Sequence, residues 1–166
     1  MKNSNNSLIG IRLASEEDYS SVMDLYRDSY ANERKAIPEP YDLIPPSPLR
    51  RGTYINILED EEDTIYVAEL DQKIVGVINF SVESLSATSF NEAFVRVTVD
   101  TLIVAEEHRR KGIGQLLMAT AEGWAREKGM YDITLIVYSY NTTAISFYEA
   151  NGYESYSVRM RKKLQK

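Results

Sequence analysis

The feature that most constrains this chain is an apolar run, a short basic loop and a long amphipathic helix pattern in immediate succession. The apolar residues 102–104 are followed by three basic residues at 109–111, and Gly112 and Gly114 mark the start of the helix pattern. The N–H groups at such a helix start are unpaired, the helix dipole attracts anions, and glycine lets a phosphate approach the backbone. The pattern predicts a pyrophosphate site, and a tight turn with a solvated basic cluster is the alternative.

Composition excludes several kinds of chemistry. The chain of 166 residues has 19 Lys and Arg against 25 Asp and Glu, and this net charge of −6 argues against nucleic acid as a partner. It has no cysteine, which excludes disulfides, thiolate metal sites and a cysteine nucleophile. His108 is the only histidine, so we expect no metal cofactor.

The same composition predicts where the protein resides and how many domains it has. No apolar run approaches the roughly 20 residues of a membrane span, and residues 1–10 lack the apolar core of a signal peptide. We therefore expect one cytoplasmic domain over residues 1–166, with residues 1–8 as a flexible tail and no membrane partner.

Apolar periodicity predicts alternating strands and helices. We expect strands over 9–13, 64–70, 73–82, 94–104, 133–138 and 154–164, and helices over 16–30, 48–58, 113–128 and 142–151. Asp71-Gln72 is a predicted hairpin turn. The alternation of strand 94–104 breaks from Thr101 onward, which indicates a bulge. All five prolines fall in 37–49, which is either a plain connector or a ligand-facing loop.

Two common nucleotide motifs do not fit residues 109–114, which we call the glycine loop. A dinucleotide fingerprint needs a third glycine where this chain has Leu117. A P-loop needs Lys and Ser or Thr after its glycines, but Gly114 is followed by Gln115. The phosphate ligand must therefore be of another kind.

Two sequence blocks resemble the GNAT superfamily of N-acetyltransferases. The first, Arg109-Arg110-Lys111-Gly112-Ile113-Gly114, matches the acetyl-CoA signature of that family, and the second runs from Asn141 through Phe147-Tyr148-Glu149 to Gly152-Tyr153. The chain departs from the commonest pattern at Arg110, where glycine is frequent, and at Glu106, where proline is frequent. Neither change removes a backbone amide.

The resemblance implies an α/β (α+β) fold with a mixed, mostly antiparallel central sheet of about six to seven strands flanked by helices. A splayed strand pair would form the cofactor slot. It also implies acetyl-CoA as cosubstrate, held by residues from both blocks and from the preceding strand. These expected cofactor-binding residues are Leu102, Ile103, Val104, Arg109, Arg110, Lys111, Gly112, Ile113, Gly114, Gln115, Asn141, Ala144 and Tyr148.

The resemblance further implies direct transfer of the acetyl group to an amine. Tyr148 would protonate the leaving thiolate, although it could be an ordinary core tyrosine, and Asn141 could be only a helix cap. Asp100 would take the proton of the amine, or be an ordinary strand residue, and Thr98 could only position a water. His108 is predicted to be a solvated loop residue.

The acceptor is less constrained than the cofactor. Family members recognise it with the loop after the first helix, which here includes Tyr30, Glu33 and Tyr41, and acidic and aromatic side chains suit a cationic amine. Polyamines, aminoglycosides, amino acids and protein amines all remain open. A non-catalytic CoA-binding or regulatory domain is the alternative function, and a monomer or a homodimer is expected.

Overall fold

A five-stranded sheet organises the part of the chain up to residue 136. The computed structural model describes residues 8–36, 49–87, 92–160 and 162. The strands lie side by side in the order β1 (Gly10–Leu13), β2 (Asp63–Leu70), β3 (Lys73–Leu85), β4 (Phe94–Val104) and β5 (Ile133–Leu135). Neighbours are antiparallel except β4 and β5, which are parallel. The mostly antiparallel mixed sheet is confirmed, with five strands in the described residues rather than six to seven.

Helices cover both faces of this sheet. They are α1 (Tyr19–Ala36), which follows a 3-10 turn, α2 (Arg51–Glu59) and α3 (Ile113–Glu127). On one face, Tyr26 of α1 and Tyr54 of α2 are buried in one apolar cluster with Val77 and Ile103. On the other face, α3 packs against β3 at Gly76. The loop from β4 to α3 therefore joins a strand end that packs under α1 to a helix on the opposite face of the sheet.

The turn between β2 and β3 follows the prediction. Leu70 pairs with Lys73, so the hairpin loop consists of Asp71 and Gln72. Their φ angles are 50° and 62°, as required by the type I′ turns that match the twist of two antiparallel strands. The aspartate tolerates this left-handed conformation better than most residues do.

The predicted bulge in β4 is confirmed and falls at Asp100. Asn79 pairs with Thr101 and Phe80 pairs with Val99, so β4 has one residue more than β3 at this point. Before the bulge Val99 lies opposite Phe80, whose ring contacts Trp124 of α3, whereas after it Ile103 packs beneath α1. The bulge thus turns the second half of β4 over, which explains the break in alternation.

Residues from 137 onward form a second compact unit that we describe by itself. It contains α4 (Thr142–Ala150), whose N-terminus is capped by the side chain of Asn141. The strand predicted over 154–164 is wrong for residues 154–160, which have no regular structure. Alternating side chains predict which face of a strand is buried, but a strand forms only where a neighbouring strand pairs with it. The single-domain prediction stays a prediction.

Candidate active site

The first turn of α3 presents backbone donors. Gly112 is the N-cap, with φ of 82° in the left-handed region, and the first helical hydrogen bond runs from the Leu116 N–H to the Gly112 carbonyl at 3.1 Å. The N–H groups of Ile113, Gly114 and Gln115 therefore have no carbonyl partner inside the helix. An added Cβ on Gly112 would meet nothing closer than 4.0 Å, so conformation rather than space requires glycine there. This arrangement fits a phosphate group.

The basic residues before Gly112 are exposed and differ in their roles. Arg109 donates from Nε to the carbonyl oxygen of Val104 at 3.0 Å, which ties the loop to the end of β4. Arg110 has a φ of 59°, a conformation that glycine adopts without strain. This positive φ angle gives a physical reason why glycine is frequent at this position in the family that the chain resembles.

A cleft of about 700 Å³ lies between α1, the start of β3 and the loop after β4. Its lining includes the predicted cofactor residues Ile103, Val104 and Arg109 together with Asp24 and Asp28 of α1. The structure brings these three predicted residues together. Leu102 and residues 110–115 are not part of this lining.

His108 also lines the cleft, and its predicted solvation is wrong. Its side chain is 22% exposed, and Nδ1 is buried without a hydrogen-bond partner. The 3-10 turn Glu106–His108, which begins where β4 ends, carries the imidazole inward. Loop position alone did not predict this burial.

The end of β4 lies beyond its pairing with β5. Val97–Val99 pair with Ile133–Leu135, and this ladder stops before the bulge at Asp100. Residues 102–104 still pair with β3 on their other side. The ladder with β5 thus ends at Val99, and β4 continues past it for five residues, which is compatible with the splayed pair that the resemblance implies.

A polar cluster surrounds the bulge on the α1 face of the sheet. The Ser81 hydroxyl donates to Oδ2 of Asp100 at 2.9 Å, and Asn79 donates from Nδ2 to Oδ1 of Asp63 at 2.7 Å. Ser81 and Asp63 are register partners on adjacent strands. The Tyr26 hydroxyl is hydrogen-bonded to the side chain of Thr101, the residue that follows Asp100. Three strands and α1 thus meet at this carboxylate.

Burial and charge alter the protonation of this cluster. Partial desolvation raises the pKa of Asp100, the Ser81 hydrogen bond lowers it, and the negative charges of Asp63 and Glu83 raise it further. Burial likewise raises the pKa of Asp63. Burial raises the pKa of Tyr26 to about 12. A carboxylate with a raised pKa is a stronger base at neutral pH.

Glu83 is engaged by its neighbours on β4. Arg96 donates to Oε2 of Glu83 from Nε at 2.7 Å, and the Thr98 hydroxyl donates to the same oxygen at 3.1 Å. These hydrogen bonds lower the pKa of Glu83, with that from Arg96 the larger effect. Thr98 is thus a partner of Glu83. Asp100 is left as the base candidate of β4.

The second unit holds the other predicted site residues. The Asn141 side chain accepts a hydrogen bond from the N–H of Ala144 at 3.1 Å, so its capping role is confirmed. Tyr148 packs edge-on against Phe147 and Tyr153, with ring centroids 5.2 and 5.8 Å apart. Burial raises the pKa of Tyr148, so its hydroxyl keeps its proton at neutral pH. The assignments of these residues to cofactor and catalysis stay predictions.

The three predicted acceptor residues differ in how far the structure describes them. Tyr30 is half-buried in α1 and packs edge-on against Tyr26, with ring centroids 5.6 Å apart. Glu33 falls in α1, but its side chain lies outside the described residues. Tyr41 and most of the proline-rich segment, residues 37–48, also lie outside them.

Sequence reasoning missed Asp63, Asn79 and Ser81. A signal for Asn79 was present, because it interrupts the apolar run 74–80, and it is 6% exposed in the structure. A buried amide needs partners, so this position predicts a polar site. Asp63 gave no comparable signal, since it stands beside other acidic residues at the start of a strand.

These features agree with the comparison to known families. The profile described as "Acetyltransferase (GNAT) family" matches residues 19–153. The chain belongs to the GNAT acetyltransferase family. That family uses acetyl-CoA, as the sequence blocks led us to expect.

Named relatives support the same family. The chain is 31% identical over 97 residues to the uncharacterized N-acetyltransferase YhfO of Bacillus subtilis, covering 58% of this chain and 62% of that protein. It is 38% identical over 68 residues to a streptothricin acetyltransferase of Streptomyces lavendulae, covering 41% of this chain and 36% of that protein. The matched part of the chain thus spans less than two thirds of either relative.

A solved structure has a similar fold. The aminoglycoside N-acetyltransferase AAC(6')-Iy in complex with CoA superposes with a TM-score of 0.74 at 14% identity, covering 99% of each chain. At this identity the likeness concerns the fold.

The described residues contain neither a metal-binding cluster nor a membrane-spanning helix. Within residues 8–36, 49–87, 92–160 and 162, no group of three or more His, Asp or Glu side chains is arranged to hold a metal ion. No helix in that part of the chain is long and apolar enough to cross a membrane.

Proposed function

We propose that this chain is an N-acetyltransferase that transfers the acetyl group of acetyl-CoA directly to a primary amine. The observation that carries the proposal is the solvent-accessible Asp100 carboxylate at the bulge of β4, which the Ser81 hydroxyl holds at 2.9 Å. A CoA-binding module needs only the glycine loop, whereas a carboxylate with a raised pKa, beside the part of β4 that extends past its ladder with β5, suits proton transfer. Family membership supports the same reaction.

The residues that would hold the cosubstrate come from both sequence blocks. The N–H groups of Ile113, Gly114 and Gln115 would bind the pyrophosphate, with Arg110 and Lys111 adding positive charge. The backbone of residues 102–104 would hold the pantetheine arm along the edge that β5 leaves. Asn141 and Ala144 of the second unit are proposed for the same ligand.

Acetyl-CoA, when bound, supplies an acetyl thioester. Asp100 would accept a proton from the ammonium form of the acceptor, because only the neutral amine is a nucleophile. A backbone N–H of the splayed end of β4 would stabilise negative charge on the carbonyl oxygen. Tyr148 would hold a proton on its hydroxyl for the leaving sulfur, which its raised pKa supports.

The acceptor proposed is a cationic amine, because Asp63 and Asp100 place two carboxyl groups close together on the two strands next to that of Ser81. Two of the matched proteins are named for cationic antibiotics, streptothricin and aminoglycosides. Amines of this class are therefore the first to try, followed by polyamines and peptide amines.

The test measures free thiol released from acetyl-CoA in the presence of streptothricin, an aminoglycoside panel, spermidine and a lysine peptide. We expect turnover with at least one amine. Asp100→Asn should lower kcat about 10²-fold and remove the acidic limb of the pH profile. Asp71→Asn in the exposed β2–β3 turn is the matched control, because asparagine also tolerates a positive φ. Tight CoA binding without turnover on any amine would instead support the non-catalytic alternative.

A further inference from the structure

The bulge leaves the direction of the Asp100 side chain unfixed by strand pairing. Asn79 and Phe80 are neighbours on β3, yet their partners on β4 are Thr101 and Val99. A residue that is extra in a ladder has no register partner, so the regular alternation of the sheet does not orient it. Another contact must hold the Asp100 carboxylate.

Ser81 supplies that contact from the neighbouring strand. Its hydroxyl lies 2.9 Å from Oδ2 of Asp100, and an ionised carboxylate only accepts, so the serine is the donor. Ser81 is itself held in regular pairing on both sides, by Asp63 of β2 and Thr98 of β4. It is therefore a rigid support, and it engages only one of the two carboxylate oxygens.

The groups around Asp100 give this single donor a large influence. Asp63 faces it from β2 and Glu83 from β3, while Arg96 of β4 is paired to Glu83. From α1 the neighbour is the buried Tyr26, which itself packs edge-on against Tyr30. The acidic neighbours favour the protonated acid, whereas the Ser81 hydroxyl favours the carboxylate.

We propose that Ser81 is the positioning residue for Asp100: it fixes the carboxylate that the bulge has released from the ladder and keeps it ionised and ready to accept the proton of the amine. The inference rests on the proposed function, because it concerns the base of that reaction. Ser81 itself touches neither substrate in this scheme.

The experiment compares Ser81→Thr with Ser81→Val. These two variants have the same shape and the same preference for strands, and they differ only in the hydroxyl. The first readout is the NMR titration of the Asp100 side-chain carboxyl carbon in the unliganded protein, assigned by its loss in Asp100→Asn. The second is the pH profile of kcat/KM. Ser20→Ala, on the exposed surface of α1, controls for loss of any serine hydroxyl.

We expect Ser81→Val to raise the pKa of Asp100, because the carboxylate loses its donor, and to move the acidic limb of the profile to higher pH. At neutral pH kcat should fall about tenfold while KM for the amine stays within about twofold. Ser81→Thr should restore both readouts. An unchanged titration in Ser81→Val would overturn the proposal.

The two proposals can fail separately. If Asp100→Asn removes the acidic limb but Ser81→Val changes neither readout, Asp100 is the base and Ser81 does not position it. If Asp100→Asn leaves rate and profile unchanged, the base assignment in the proposed function is wrong. The Ser81 hydroxyl could then still shift the titration, but its positioning role in catalysis would be overturned with that assignment.

Discussion

Gly76 of β3 lies directly against Ile113, the first residue of α3: a Cβ added to Gly76 would stand 3.2 Å from Cγ2 of Ile113. The same atom would be 3.1 Å from Cδ1 of Leu117, one turn further along the helix. The absence of a side chain on Gly76 therefore sets how closely the start of α3 approaches the sheet. That start carries the N–H groups proposed to bind pyrophosphate.

We predict that Gly76→Ala destabilises the protein by about 1–3 kcal/mol, because both isoleucine and leucine contacts are tighter than ordinary packing allows. For a chain of this size that corresponds to a fall in Tm of roughly 2–4 °C per kcal/mol. Urea unfolding and a thermal melt measure the two quantities. Gly123→Ala, inside α3 with nothing near its added Cβ, should be neutral or stabilising. Equal stability of the two variants would contradict this account of the packing.

The second prediction concerns Gly112 and the affinity for CoA. Gly112→Ala puts a Cβ on a residue with φ of 82°, which costs about 1–2 kcal/mol and drives the loop toward another conformation. Because the loop precedes the N–H groups of the first turn of α3, we expect binding of CoA to weaken about tenfold. Isothermal titration calorimetry measures this change.

Gly129 provides the matched control at the other end of α3. Its φ is 75°, and an added Cβ would meet nothing, so Gly129→Ala carries the same backbone strain as Gly112→Ala. We expect similar losses of stability from the two variants and no loss of CoA affinity from Gly129→Ala. If both weaken CoA binding equally, or neither does, the glycine loop is a turn and not a phosphate site.

Local sequence signals predicted the local structure well. The Asp71-Gln72 hairpin follows from two residues that tolerate positive φ between alternating runs, and the glycine loop follows from residues within one short segment. The bulge at Asp100 was also predictable, because a change of face leaves a break in the apolar pattern.

Contacts between distant segments were not predictable in this way. Ser81 and Asp100 are 19 residues apart, and their hydrogen bond depends on the register that the bulge sets between β3 and β4. The strand predicted over 154–164 is wrong for the described residues 154–160 for a related reason, since alternation carries no information about which strand is its neighbour. The sequence thus indicated polar features that lie within one segment and missed contacts, such as that of Ser81 with Asp100, that strand pairing brings together.

The third prediction concerns Tyr148 as the acid of the reaction. Tyr148→Phe removes the hydroxyl and keeps the ring contacts with Phe147 and Tyr153, so stability should change little. We expect kcat to fall about 10²-fold. Since burial raises the pKa of Tyr148, the hydroxyl holds its proton through neutral pH and loses it only in the alkaline range. The alkaline limb of the kcat profile should therefore disappear in the variant.

Tyr131→Phe is the matched control for this change, because Tyr131 is 87% exposed. It should leave kcat and both limbs of the pH profile as in the unaltered chain. Full activity of Tyr148→Phe in the thiol-release assay would show that water or another group protonates the leaving sulfur.

The fourth prediction is a pH dependence of stability that originates at Asp18. Arg12 donates from Nη1 to Oδ2 and from Nη2 to Oδ1 of Asp18, at 2.7 and 2.9 Å, and the Ser15 N–H donates to Oδ2 at 2.8 Å. The hydrogen bonds from Arg12 are the largest cause of the lowered pKa of Asp18. Asp18 itself is only 8% exposed, whereas the Arg12 side chain is 42% exposed, so solvent reaches these bonds from the arginine side only.

A lowered folded-state pKa means that the unfolded chain binds the proton more tightly. The stabilisation by Asp18 is therefore complete above about pH 5 and declines as pH falls through the ordinary aspartate pKa of about 3.9 toward the folded value. We expect Asp18→Asn to lower the free energy of unfolding by about 1–3 kcal/mol at pH 7 and by less at pH 3. Urea unfolding at the two pH values measures this difference.

Asp24 gives the comparison that isolates burial. It forms an ion pair with Arg27 at 2.7 Å, which is as short as the ion pair of Asp18 with Arg12. The side chains of Asp24 and Arg27, however, are both about 60% exposed. Solvent screens such a pair, so Asp24→Asn should stay within about 0.5 kcal/mol of the unaltered chain at both pH values. If Asp18→Asn loses the same stability at pH 3 as at pH 7, the lost stability comes from packing or from neutral hydrogen bonds, and the ionised Asp18 carboxylate is not its source.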